Sequence, residues 1–445
     1  MYAIYTAVSL LLAAIVLPYF VYQAVRYRKY VGSLRQRLGR LPVAFNLDAE
    51  DSIWIHAVSV GEALTARALI PALRIHYPSL RVFLSTTTMT GQQVARAELQ
   101  GVDGIFYFPF DVPGAVNRTL EIVRPRLFVM IETEIWPNLL RACRARGVRT
   151  ALVNGRLSER SWRRYRLVRP LFRRVLGDID LFCAQSEASA HRLRSLGAAA
   201  DRVVVTGSLK FDSLEAAASP SFGRGPDRVL RYFRVPAERH VIVAASTLNG
   251  EETAALNAFR VVRRSYPDAL LILAPRHPER FDLVSRLARE EGYRVARRTD
   301  LVLDTAPDAD VVVLDTIGEL ARLYRIATVV FVGGSLVDAG GHNILEPAVF
   351  GKPVLFGPHM QNFAEIASAF LSSGAAIEVA NDRALADAIV ALFADPARRA
   401  GLGAAARTVV EANRGARDRT LEALAGILQP VWSGHDKVRP FRRVR

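Results

Sequence analysis

A chain of 445 residues is too long for a single hydrophobic core, so two domains are expected. Its formal net charge of +16 favours an anionic partner: nucleic acid, anionic lipid or an acidic substrate. Cys143 and Cys183 are the only cysteines, which excludes zinc-ligand spacing and a disulfide framework and suits a reducing compartment.

The chain opens on Tyr2–Val25, a stretch without Asp, Glu, Lys or Arg. At ~1.5 Å per residue this helix reaches ~36 Å, enough to cross a ~30 Å hydrocarbon core. Membrane helices tolerate a proline such as Pro18. Tyr19, Tyr22, Tyr27 and Tyr30 suit the interface. Arg26, Arg28, Lys29, Arg35, Arg37 and Arg40 follow with no acid before Asp48, which places the body of the protein on the cytoplasmic side. A cleavable signal peptide would carry charge before the apolar run and small residues after it; the expectation is therefore an uncleaved anchor. A helix lying in the interface plane fits less well, because the run is apolar all round. With an anchor, lipid and acidic substrates gain over nucleic acid as partners.

Beyond the anchor, apolar runs alternate with helical patterns. Ile53–Val58, Val82–Ser85, Ile105–Phe108, Leu127–Ile131, Thr150–Val153, Leu181–Ala184 and Val203–Thr206 read as strands, with helices such as Ala63–His76 between them. This alternation predicts a parallel sheet covered on both faces. The predicted first domain covers 26–212, and 213–231 reads as a linker rich in Ser, Pro, Gly and Arg. The alternation restarts over 232–428, with strands at Val241–Ala245, Leu270–Ala274, Tyr293–Val295, Val311–Leu314, Val329–Val332, Val354–Phe356 and Ala376–Val379. A basic tail, 429–445, follows. The expected fold is α/β, two doubly wound units with ligands at the carboxyl ends of their strands.

The loops at those strand ends carry the candidate chemistry. Ser59-Val60-Gly61-Glu62 places Glu62 at a helix start, as a general base or simply as a charge that caps the helix. In Ile131-Glu132-Thr133-Glu134, two carboxylates follow an apolar strand; Glu134 is the better candidate for an ordinary helix-start acid. Lys210, in Thr206-Gly207-Ser208-Leu209-Lys210-Phe211-Asp212, either neutralises an anionic substrate or pairs with Asp212. Arg276, between Pro275 and Pro278, suits bidentate phosphate recognition from a stiff backbone. Ile317-Gly318-Glu319 opens another helix and offers free N–H groups. Four glycines within Gly333–Gly341 let the backbone approach a ligand, and the helix N–H groups after them suit an anion. Glu346, one turn inside, can accept from sugar hydroxyls. Together these suggest a nucleotide-sugar site, against the plainer reading of a helix start that needed glycines for a tight turn.

Asp308-Ala309-Asp310 and Asp178-Ile179-Asp180 match a metal-holding pattern but precede their strands, so they are read as turn acids and no metal site is expected. Neither a Gly-x-Gly-x-x-Gly after the first strand nor a phosphate-binding Gly-x-x-x-x-Gly-Lys-Ser/Thr occurs. Arginines from Arg156 to Arg174 interleave with Trp162, Tyr165, Leu167, Leu171 and Phe172, as a nucleic-acid reader, a lipid-facing surface or a solvated helix face would.

Taken together, His56-Ala57-Val58-Ser59-Val60-Gly61-Glu62, Glu132-Thr133-Glu134-Ile135-Trp136-Pro137, Gly207-Ser208-Leu209-Lys210-Phe211-Asp212, Pro275-Arg276-His277-Pro278-Glu279-Arg280 and Gly340-Gly341-His342-Asn343-Ile344-Leu345-Glu346-Pro347 resemble the 3-deoxy-D-manno-octulosonic acid (Kdo) transferases of lipopolysaccharide synthesis. The resemblance covers nearly the whole chain. It implies a GT-B fold, two Rossmann-like domains facing across a cleft, an N-terminal acceptor domain and a C-terminal CMP-sugar domain. It also implies inverting transfer of Kdo from CMP-Kdo to a lipid A precursor (lipid IVA) at the cytoplasmic face of the cell inner membrane, with no metal, no cofactor and no nucleic-acid partner. By the same resemblance Glu62 is the general base, and Glu132 and Lys210 stabilise the transition state. Pro275, Arg276, Ile317, Gly318, Glu319, Asn343, Ile344, Leu345 and Glu346 would hold CMP. Ile344 departs from the family, which more often has proline there. Two alternatives stand beside this reading: another membrane-associated GT-B transferase or isomerase, and a non-catalytic nucleotide-sugar-binding protein.

Overall fold

The computed structural model of the protein describes residues 2–27, 31–212 and 228–428. The expected linker over 213–231 lies mostly outside the described residues, and the basic tail lies wholly outside them. The chain divides into two compact units, one of residues up to 212 together with 414–428, the other of 228–413.

The first unit is built on a seven-stranded parallel sheet. Its strands are β1 (Ser52–His56), β2 (Arg81–Thr86), β3 (Gly104–Tyr107), β4 (Pro125–Ile131), β5 (Arg149–Gly155), β6 (Leu181–Ala184) and β7 (Val203–Val205), in the order β3-β2-β1-β4-β5-β6-β7. Every residue of β1 is buried, so this strand shows no alternation of apolar and polar faces. Odd and even positions feed separate cores: Trp54 packs with Phe83, Phe106 and Phe128, while Ile53 and Ile55 pack with Val82, Leu84 and Val129. The predicted helix Ala63–His76 is two helices, Val60–Ala66 and Ile70–His76, the second carrying Pro71 in its first turn. Proline lacks the N–H that would continue a helix from the preceding turn.

The second unit repeats the plan with β8 (Val241–Thr247), β9 (Leu270–Pro275), β10 (Val295–Arg297), β11 (Val311–Val313), β12 (Val329–Val332), β13 (Val354–Phe356) and β14 (Ile377–Glu378). Their order is β10-β11-β9-β8-β12-β13-β14, again parallel. The order reverses beside the first strand in both units, between β1 and β4 and between β8 and β12. That is the switch point at which open α/β sheets bind ligands.

Two expectations change here. The sequence pattern carries the second domain to 428, but the helix Ala416–Leu428 returns to the first unit and buries Leu421, Leu424 and Leu428 against the Ile53 side of its sheet. Asp212 fastens the return by accepting from Gly415 N at 2.8 Å and Arg417 N at 2.7 Å. Sequence periodicity reports that a helix has an apolar face but not which sheet covers it.

The second change concerns the anchor. Tyr2–Tyr27 is one helix of 26 residues. Its first turn is held against the first unit: the Tyr2 hydroxyl meets Asp178, Thr6 Oγ1 donates to Asn138 Oδ1 at 3.0 Å, and Arg141 lies 4.7 Å from the Tyr2 ring centre. A spanning anchor followed by the body would instead carry residue 2 away from these partners. Among the described residues no helix is long and apolar enough to cross a membrane.

Candidate active site

In the first unit the loops after β1, β4 and β7 converge. Glu62 sits in the first turn of Val60–Ala66 and is held from two sides: its Oε2 accepts from Val58 N at 2.7 Å and its Oε1 from Ser59 Oγ at 3.0 Å. Burial pushes the Glu62 carboxyl up to about 7, and the negative charge of Glu132 adds to the rise. The Val58 N–H, the Ser59 hydroxyl and Lys210 work against it. A carboxylate of that basicity can take a proton near neutral pH, which an ordinary glutamate does poorly.

Glu132 follows β4 with φ of 62°, a left-handed conformation unusual for a non-glycine residue. Its N–H donates to Val153 O at 2.9 Å, and its Oε1 lies 3.5 Å from Lys210 Nζ. The sequence left Lys210 with Asp212 as a possible partner. The structure gives Asp212 to the backbone of 415 and 417, and Lys210 to Glu132. The loop bearing Lys210 is set by Asn154, fully buried at φ 57°, whose Oδ1 accepts from Leu209 N at 3.0 Å.

Glu134 also belongs to this cluster. Sequence reasoning set it aside as a helix-start acid, yet burial pushes it up to about 7 and the charge of Glu62 adds to the rise. The charge of one carboxylate thus makes its neighbour hold its proton to higher pH. The signal was present in the sequence as a second acid straight after an apolar strand.

In the second unit β11, β9, β8 and β12 are neighbours, so the loops after them share one sheet edge. Arg276 follows β9, its backbone N–H donating to Thr247 O at 3.0 Å and its side chain exposed. Burial pushes His342 down to about 4, and the positive charges of Arg276 and His277 push it further. A neutral imidazole therefore stands beside Arg276, and its Nε2 is buried without a partner among the described residues. Its ring lies against Gly334, where an added Cβ would come within 2.8 Å of His342 Cδ2. Glu346 accepts from Asn343 Nδ2 at 3.2 Å and approaches the buried Tyr324, whose hydroxyl burial and the nearby carboxylate hold well above the usual tyrosine range.

The helix after the glycines is only Leu345–Val349, and Asn343 Oδ1 takes the Leu345 N–H at 3.1 Å. The N–H groups of Gly334, Ser335 and Leu336 are also taken. Buried Glu251 accepts them at 2.6, 2.9 and 2.9 Å, together with Leu248 N at 2.9 Å. The sequence offered the helix-opening N–H groups to an anion and the glycine loop to a close-lying ligand; Asn343 takes one of the former and Glu251 fills three N–H groups of the latter. Sequence pattern does not reveal Glu251, because three of its four partners lie more than 80 residues away.

The other expected contacts divide. Pro275, Ile344 and Leu345 are buried, so only their backbone is available. Ile344 has φ of −79°, within the range proline holds, so the departure from the family's proline leaves the backbone path unchanged. Ile317 is 82% exposed, and Gly318 turns with φ of 85°. Glu319 is bound by Arg298 Nη2 at 3.1 Å and Thr316 Oγ1 at 2.7 Å.

Both Asp-x-Asp pairs are engaged at amino ends of strands. Asp310 meets Arg294 at 3.0 Å and Arg263 at 3.2 Å, and Asp180 accepts from Thr150 N at 2.9 Å. Among the described residues no group of three His, Cys, Asp or Glu could hold a metal ion.

Two parallel-sheet α/β units, each with its loops gathered at the switch point, have the architecture of the GT-B glycosyltransferase fold. A family model for 3-deoxy-D-manno-octulosonic-acid transferase matches residues 32–213, and one for glycosyl transferases group 1 matches 244–409. The chain is 34% identical over 426 residues to the 3-deoxy-D-manno-octulosonic acid transferase of Haemophilus influenzae, covering 96% of this chain and 98% of that protein. It is 36% identical over 400 residues to the transferase of the same name from Bordetella pertussis, covering 87% and 90%. The protein belongs to the Kdo transferase family. Its fold also resembles UDP-GlcNAc 2-epimerase from Neisseria meningitidis bound to UDP-GlcNAc, with a TM-score of 0.60 at 15% identity over 84% of this chain and all of that one.

Proposed function

We propose that this glycosyltransferase moves Kdo from CMP-Kdo to a lipid A precursor such as lipid IVA, with inversion and without a metal. The observation that carries the reading is Glu62, a carboxyl held by two hydrogen bonds, lifted to about 7 and accompanied by the Lys210–Glu132 pair. Glu62 takes the proton of the acceptor hydroxyl as the new bond forms. Lys210 offsets the charge of an anionic substrate, and Glu132 fixes the ammonium in place. In the second unit Arg276 offers a guanidinium to the CMP phosphate, His342 a neutral ring nitrogen, and Glu346 an acceptor for ribose hydroxyls. Charge stabilisation by Arg276 serves a nucleoside monophosphate leaving group directly.

Membrane association on the cytoplasmic side completes the proposal. Ile4, Leu11 and Ile15 on the first helix are 68%, 63% and 65% exposed, an apolar surface that lipid would cover. Leu167, 84% exposed, ends the arginine-bearing helix Glu159–Leu167, and the helix Arg169–Leu176 that follows also carries arginines, which suits an anionic lipid surface.

The decisive experiment incubates the enzyme with a CMP-Kdo-generating system and lipid IVA, with and without EDTA, and reads products by mass spectrometry. The reading expects Kdo-sized mass additions in both conditions. No product, or product only after adding Mg²⁺, defeats the corresponding part of it. Competition by UDP instead of CMP would favour a transferase for another sugar.

A further inference from the structure

The opposite edge of the second sheet, where the strands begin, carries a cavity of about 440 Å³. Its wall includes residues that precede or open β8, β12 and β13, and the first turn of the helix Pro396–Ala412. The glycine loop lies past the other end of β12, and Arg276 past that of the neighbouring strand β9. β12 and β8, of 4 and 7 residues, separate the two edges by ~13–23 Å at ~3.3 Å per residue. The cavity is therefore distinct from the donor site.

Three cations reach it, Arg239, Lys352 and Arg399, and its wall contains no Asp or Glu. Arg239 donates to the carbonyls of Asp268, Pro307 and Ala309 at 2.7, 3.0 and 2.7 Å, and Arg399 to Leu392 O at 3.0 Å. These bonds orient the guanidinium groups without neutralising them. Of the acids that act on Arg239, the foremost is Asp310, which faces a neighbouring surface and is bound by Arg263 and Arg294. Asp395 caps its helix by accepting from Arg398 N at 2.8 Å. Lys352 is half-buried, and among the described residues its ammonium has neither a hydrogen bond nor an ion pair. Burial pushes its pKa below the ordinary lysine value, and the charge of Arg399 pushes it further.

A half-buried ammonium and a guanidinium that share a cavity wall, with no acid on it, repel one another unless an anion joins them. We propose that this cavity is a second anion site that takes a phosphate group, as orthophosphate or as a small phosphomonoester. A phosphate carries up to two charges and three acceptor oxygens, which matches Lys352 and Arg399 better than a carboxylate does. The N-terminal end of a 17-residue helix adds partial positive charge. The remaining volume lies against Val235, Ile326 and Pro353, where the organic part of a phosphomonoester would sit.

The test titrates orthophosphate and, separately, glycerol 1-phosphate into the full-length protein by calorimetry, alongside Lys352→Met, Lys352→Arg and Glu346→Ala. Wild type, Lys352→Arg and Glu346→Ala are expected to bind, with Lys352→Met at least tenfold weaker. Equal binding of both ligands assigns the site to the phosphate itself, and tighter glycerol 1-phosphate to a phosphomonoester. In anion-free buffer Lys352→Met is expected to melt above wild type, because it removes an unpaired buried charge, and to gain nothing from added phosphate. Binding by Lys352→Met equal to wild type overturns the proposal. So does loss of binding in Glu346→Ala, or no binding of either ligand to wild type at millimolar concentration.

Discussion

Glu62 and Glu251 occupy corresponding places in the two units. Each lies in the first turn of the helix after the first strand, β1 or β8, beside the point where strand order reverses. Their surroundings differ. Glu62 accepts from one backbone N–H and one hydroxyl, faces Glu132 and Glu134, and is lifted to about 7. Glu251 is fully buried and accepts from four backbone N–H groups, three of them in the glycine loop after β12. Four donors leave that carboxylate no lone pair with which to move a substrate proton. The same position in a repeated fold keeps a carboxyl able to accept a proton where donors are few, and fixes a loop where donors are many.

The largest effect should come from removing the proton acceptor. Glu62→Gln keeps the size and most of the contacts, and turnover is expected to fall ~10²–10⁴-fold while calorimetric CMP affinity stays within twofold. Near wild-type turnover, measured when chemistry limits the rate, would erase the distinction between the two glutamates.

Glu251→Gln should do the reverse. An amide turns an N–H₂ toward donors that need an acceptor, and each buried group left unsatisfied costs ~1–3 kcal/mol. Chemical denaturation should show a loss of that size, with CMP affinity falling as the glycine loop loosens. Unchanged stability and unchanged CMP affinity would mean that the four bonds do not hold the loop. Arg276→Ala tests the binding half more gently. Loss of a charge-assisted contact of ~1.5–3 kcal/mol predicts roughly tenfold to hundredfold weaker CMP, with the fold unaffected.

The smallest effect is on pH dependence. Glu62 and Glu134 have native pKa values raised from 4.5 to about 7, so the native state binds more protons than the unfolded chain between those values. Their contribution to stability is complete below pH ~4.5 and is lost as pH rises through ~7. Glu134→Gln should flatten that decline in denaturation curves measured across this window, and should shift the acid limb of kcat/KM, which is expected near pH 7 in wild type. A curve as steep as that of wild type would separate Glu134 from the Glu62 cluster.

Much of the fold was legible in the sequence. Fully apolar runs rich in β-branched residues, such as Ile53–Ile55 and Val329–Val332, read as strands buried on both faces, and helical segments between them suit parallel crossovers. Motif order pointed to Glu62, Glu132 and Lys210, which the structure brings together, because carboxylates and a lysine directly after apolar strands fall at the ligand edge of such sheets. The sequence also recorded an uncharged opening helix, since the absence of charge needs no partner to be recognised.

Tertiary structure alone decided the rest. It gave Asp212 to the returning helix and Lys210 to Glu132, and it brought Glu134 under the influence of Glu62. It consumed the glycine-loop donors with Glu251, returned Ala416–Leu428 to the first sheet, and left Lys352 beside Arg399 without an acid. The reason is common to all of these. Local pattern depends on neighbours along the chain, whereas the state of an ionisable group depends on the charges and donors folded against it from elsewhere.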